Sequence, residues 1–154
     1  MIKGLNGAKN TTSIRTSTAD IIVLKAKCTR ALWGSFDGSK LLSAIIDVKA
    51  SLNTWYEDMP RPAHLERSVS DPDHPVKDSI YVIHLLHMGT LMLTFRVALQ
   101  GFREPESRSG LSHEETSLLN RALEDGIVAA EQSSRLLALL MEEAHTPRHC
   151  WLAM

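Results

Sequence analysis

His84 and His87 stand one helical turn apart in an aliphatic run, and two imidazoles at that spacing share a helix face and could seed a metal site. No Asp or Glu lies between Ser79 and Gln100 to supply a further ligand, so the pair reads as structural histidines packed within a helix. His145, His149 and Cys150 offer ligand types again, but Pro147 divides them and places them in a turn, and no metal site is assigned there. Serines and histidines are plentiful, yet there is no nucleophile-elbow pattern and no Cys–His signature. The carboxylates Glu114–Glu115 and Glu142–Glu143 are adjacent in sequence. Neighbours on a helix diverge by about 100°, so neither pair makes an acid–base dyad. A Gly-rich phosphate loop is also missing. No catalytic, cofactor-binding or metal-ligating residue is named, no cofactor is expected, and the chain is expected not to be an enzyme. Trp33, Trp55 and Trp151 read as core or interface anchors. Arg96, set among aliphatics, is either paired in the interior or a rim residue whose stem lies along apolar surface.

The elements that hold these residues follow from composition and periodicity. The 154 residues are 44% hydrophobic and 23% charged, which are globular proportions sufficient for one core. Seventeen Lys and Arg are spread among eighteen Asp and Glu, for a net charge of −1, with no basic stripe to meet a phosphate backbone. Direct nucleic-acid binding by this chain is therefore not expected. Cys28 and Cys150 form no CxxC pair and read as thiols in a reducing compartment.

Residues 1–20 lack the continuous apolar stretch of a secretory signal. Lys3, Lys9 and Arg15 without an acid before Asp20 resemble a mitochondrial presequence, but Gly4, Asn6, Gly7 and Asn10 oppose a helix, so 1–16 is expected to be a flexible leader to a helical domain at 17–154. Residues 80–99 are the most apolar window, and His84, His87 and Arg96 within it argue for a buried helix and against a membrane span.

Four helices are expected, in an all-α, irregular bundle. The first is capped by Ser17 or Thr18 and runs to about Trp33, with Ile21, Leu24, Cys28, Ala31 and Leu32 facing inward. The second begins near Ser39, and Leu41, Ile45, Val48, Leu52, Trp55 and Met59 recur at four-three-four-three-four spacing until Pro60 and Pro62 stop it. Residues 61–75 read as a surface connection. The third helix spans about 76–100 and is apolar on most sides, which predicts the middle of the bundle, with Gly89 and Thr90 admitting a close neighbour. Ser112 followed by Glu115 is a capping-box pattern opening the fourth helix, whose inner stripe is expected to be Leu119, Ala122, Leu123, Gly126, Ala130, Ser133, Leu137, Leu140 and Ala144, closed by Thr146–Pro147. Leu41, Ile45, Leu52, Trp55, Leu86 and Leu137 are expected to hold the fold.

Three segments in order resemble the middle homology region that follows the zinc binuclear cluster of fungal transcription factors. They are Leu52-Asn53-Thr54-Trp55 with Met59-Pro60-Arg61-Pro62, then Ile80 to Met88 with its tyrosine and two histidines, then Ala129 to Leu137 followed by Pro147 and Cys150-Trp151. The resemblance covers about residues 39–154. It implies a fragment of an all-helical regulatory domain in the nucleus that acts in transcription regulation by binding protein partners, the remainder of a longer factor or a small-molecule effector. The six-cysteine cluster is absent from this chain, so its zinc and DNA reading are not carried over. Because the chain stops where the family enters another helix, an incomplete bundle with an exposed apolar patch is expected. Two alternatives stand beside this reading: a small helical metal- or ligand-binding protein using His84 and His87, or a truncated paralogue without activity of its own.

Overall fold

The computed structural model describes residues 3–34, 38–66, 76–103 and 108–142. Among the described residues four long helices carry the chain, α1 (Lys3–Trp33), α2 (Gly38–Glu57), α3 (Lys77–Gly101) and α4 (His113–Glu142), with a 3-10 turn at Arg61–Ala63 after α2. No strand occurs among the described residues. The protein is an all-α helical bundle. Helix α3 is its axis, packing most extensively on α4 and then on α1 and α2.

The periodicity of α2 explains its seat. Leu41, Ile45, Val48, Leu52 and Met59 are all buried, and Trp55 is half-buried between two core clusters. Met59 accepts the turn after the helix, where Pro60 and Pro62 withhold amide donors and the chain tightens to three-residue hydrogen bonds, Ala63 to Pro60 at 2.8 Å and His64 to Arg61 at 3.2 Å. Ala63 is fully buried, so the start of the segment expected to be a surface connection is in fact part of the core. Residues 67–75 lie outside the described residues.

Along α3, residues 80–86 are buried on every side. Its interior hydroxyls are satisfied within the helix, Thr90 donating to Leu86 at 2.9 Å and Thr94 to Thr90 at 2.9 Å. This is also the one described helix long and apolar enough to cross a bilayer, and 56% of that window is buried inside the bundle. Arg96 is exposed, the rim residue of the two readings. At the far end Phe102 is fully buried and Arg108 donates to its carbonyl at 2.6 Å.

The capping box forms as its residue types require: the Glu115 amide donates to Ser112 Oγ at 3.2 Å, and the Ser112 amide to Glu115 Oε2 at 2.8 Å. The Ser112 amide first, and its hydroxyl second, hold the Glu115 carboxyl below its ordinary pKa. Across the bundle, Lys49 of α2 meets Asp125 of α4 at 2.6 Å.

Four expectations are corrected. Helix α1 begins at Lys3, not at Ser17 or Thr18, so most of the segment read as a flexible leader is helical. Its glycines and asparagines weaken the helix, but extension from an existing helix costs no new nucleus. Ile14 is buried against Met59, Ala63, Ile80 and Ile83, and Thr16, Ser17 and Thr18 donate back to the carbonyls of Thr12, Ser13 and Ile14. The inner stripe of α4 is Leu119, Ala122, Gly126, Ala129, Ser133 and Leu136, while Ala130 and Leu137 are exposed. Leu137 therefore does not hold the fold. A strict alternation of three- and four-residue steps chose Ala129 over Ala130 and Leu136 over Leu137, keeping a straight seam against α3. Lastly, Gly89 is not where helices close up, because a methyl group there would meet only Lys25 Nζ at 3.7 Å. Gly126 is that place: its missing side chain is filled by Phe95 of α3, whose Cγ would lie 2.7 Å from an added Cβ.

Candidate functional site

The end of α2, Leu65 and Glu66 just after the 3-10 turn, the first half of α3 and the last turns of α4 line an open groove of about 800 Å³. Its floor is aromatic. Residues 55 and 56 are consecutive on α2, so their side chains diverge by about 100°: Trp55 turns toward the core, and Tyr56 stays on the groove side, more than one-third exposed. Three imidazoles surround Tyr56, with ring centroids at 5.6 Å for His64, 5.9 Å for His84 and 5.5 Å for His87. The first two meet it edge-on, a favourable geometry for aromatic pairs. His87 also stacks on Trp55, centroids 5.6 Å apart and planes 27° apart.

Two of these histidines are fastened to backbone. His84, 2% exposed, donates its Nε2–H to the Ala63 carbonyl at 3.1 Å, and His64 donates its Nε2–H to the Met59 carbonyl at 3.0 Å. They thereby supply donors to two carbonyls at the ends of the 3-10 segment. Burial lowers the pKa of His84 further than its bond to Ala63 raises it, with a smaller lowering from His64. Burial, with a smaller contribution from His84, lowers His87 to about 4. Both rings are neutral at physiological pH.

Met88, Leu136 and Leu139 form apolar wall, and Glu57, Gln132 and Arg135 supply polar groups at the rim. Arg135 is held by Glu131 one turn before it, at 2.6 Å. The groove thus offers a neutral aromatic floor, thioether and leucine walls and a polar edge, which suits non-covalent binding of a partly apolar molecule.

Sequence reasoning placed His84 and His87 on one helix as packed residues, and the structure brings both against Tyr56, with His87 also stacked on Trp55. It did not name Tyr56, His64 or Arg135, whose only signal was position: Tyr56 follows the last tryptophan of the apolar stripe, and His64 lies beyond two helix-stopping prolines. Among the described residues no group of three or more His, Cys, Asp or Glu side chains is placed to hold an ion. The set His145, His149 and Cys150 lies outside the described residues, as does Trp151. Cys28 is buried on α1, and desolvation raises its pKa, so it is an unreactive thiol. No protein-family model, curated protein or solved structure matches this chain.

Proposed function

We propose that this chain is a binding module without catalytic chemistry, acting in transcription regulation in the nucleus, and that it engages a small-molecule effector in the groove over Tyr56 and His87. The regulatory part of the reading is supported by the resemblance of the three ordered segments to the middle region of fungal zinc-cluster factors. The binding part is carried by one observation: a groove of about 800 Å³ whose floor is Tyr56 among three histidines and whose walls are Met88, Leu136 and Leu139. The first two segments of the resemblance meet beside that groove, through the stacked rings of Trp55 and His87. Protein partners, or the remainder of a longer factor, receive the signal.

Two measurements test it. Tethered to a heterologous DNA-binding domain, the chain changes reporter output, and Tyr56→Ala, which removes the floor from a partly exposed position, abolishes that change while leaving helical circular dichroism intact; unchanged output from the tethered chain overturns the regulatory reading. In a Trp33→Phe, Trp151→Phe background, Trp55 fluorescence responds to members of a library of neutral aromatic and amphiphilic metabolites. Silence across that library, with the protein folded, overturns the effector reading.

A further inference from the structure

Helices α1 and α4 both pack on α3 but share only marginal contact with each other, and each carries a second apolar stripe turned away from the core. On α4, Ile127, Ala130, Ser134, Leu137 and Met141 follow a three-four-three-four spacing, and all five are exposed, Ile127 at 60% and Met141 at 81%. On α1, Ala19, Ile22, Ala26 and Trp33 recur at three, four and seven residues, again all exposed, with Ile22 at 44% and Trp33 at 48%. Apolar stripes of this regularity outside the core are the pattern by which helices pair. Small residues at 130 and 134, and at 19 and 26, let a facing helix come close.

Their charges are opposite. Between residues 12 and 33, four cations (Arg15, Lys25, Lys27, Arg30) stand against Asp20 alone, a net charge of +3; between 113 and 141, five carboxylates stand against two arginines, a net charge of −3. The charges nearest the stripes follow suit, with Arg15 and Arg30 three or four residues from members of the one on α1 and Glu124 and Glu131 likewise beside the one on α4, all exposed. From these matching stripes and opposite charges we infer that the occupant of each face is a second copy of this chain, the outer face of α1 in one copy lying on the outer face of α4 in the other. A two-fold pair makes this contact twice and leaves neither face bare. The stripes lie outside the groove, although Glu131 beside one of them also holds Arg135 at the groove's rim, and the inference stands whether or not the groove binds an effector. Complementary rims of this kind act chiefly on encounter and register, with the buried apolar stripe supplying most of the adhesion.

Sedimentation velocity of the full chain from about 1 to about 100 µM tests it, a span covering ordinary homodimer affinities. The expected result is a concentration-dependent dimer that weakens as salt is raised. Ile127→Glu, at an exposed position that folding does not require, weakens the dimer by on the order of a hundredfold while circular dichroism is unchanged. Glu124→Lys with Glu131→Lys weakens it by on the order of tenfold, and adding Arg15→Glu with Arg30→Glu restores it. A chain that stays monomeric throughout, a dimer indifferent to Ile127→Glu, or a charge reversal with no rescue overturns the inference; the first of these leaves a different protein as the occupant.

Discussion

Trp55 of α2 and His87 of α3 stack with their ring centroids 5.6 Å apart, and this contact joins the core to the groove. One face of the pair belongs to the apolar interior, and the other to the aromatic floor shared with Tyr56. Because the imidazole is desolvated there, its proton affinity reports on the integrity of both.

His87 titrates at about 4 in the folded chain against about 6.5 when unfolded. Between those values the unfolded chain binds more protons, so stability falls as pH drops from about 6.5 and this contribution levels off below about 4. The shift corresponds to about 3 kcal/mol at most, reduced by the ring's partial exposure. His84, lowered in the same direction, adds to the loss. Urea unfolding at pH 7.5, 6 and 5 is expected to show the decline, and His87→Leu to flatten it; an NMR titration placing the His87 midpoint near 6.5 would sink the argument.

His84 closes the 3-10 turn from α3. His84→Phe keeps much of the volume but leaves the Ala63 carbonyl buried without its donor, at a cost of about 1–3 kcal/mol. Amide exchange at Ala63 and His64 is expected to accelerate in this variant more than exchange in the middle of α3.

Gly126 and Gly101 both face a neighbouring side chain, and the neighbours differ in how far they can yield. An added methyl at 126 strikes Phe95 at its Cβ and ring base, atoms fixed to the backbone of α3, whereas at 101 it meets the Cδ2 end of Leu41, which can rotate away. Gly126→Ala is therefore expected to cost about 1–3 kcal/mol by forcing α3 and α4 apart, despite alanine's better helix propensity. Gly101→Ala is expected to be nearly neutral. Equal thermal shifts for the two variants would contradict this packing.

Ser133 is 6% exposed on the inner stripe of α4, and its Oγ is buried without a hydrogen-bond partner. Ser133→Ala removes that unpaired hydroxyl, keeps nearly the same volume and improves helix propensity, so a gain of about 1 kcal/mol is expected in denaturant titration. A loss of similar size would reveal a partner for the hydroxyl.

The seam of α2 was legible because Val48 and Leu52 stand between polar neighbours and fix the phase that selects Leu41 from Leu41–Leu42 and Ile45 from Ile45–Ile46, while Pro60 and Pro62 end the run. Helix α4 was harder. Leucines or alanines occur in pairs at 129–130 and 136–137, so periodicity alone admits two stripes about 100° apart, and only the position of α3 selects between them. The candidate site was half legible, since the spacing of His84 and His87 announced a shared face, while Tyr56 and His64 reach it only after the chain turns back at the 3-10 segment.

By itself the sequence determined the all-α class, the reach of α2 and α3, and the capping box that starts α4, because these depend on local hydrogen bonding and on apolar period within a dozen or so residues. Tertiary structure decided the rest. Burial of Ile14 against Met59 and Ala63 sustains a helix across residues of poor propensity, Phe95 makes Gly126 the point of closest packing, and the convergence of α2, α3 and α4 turns scattered aromatics into a groove. Each of these arises between residues far apart in the chain, where neither propensity nor period carries information.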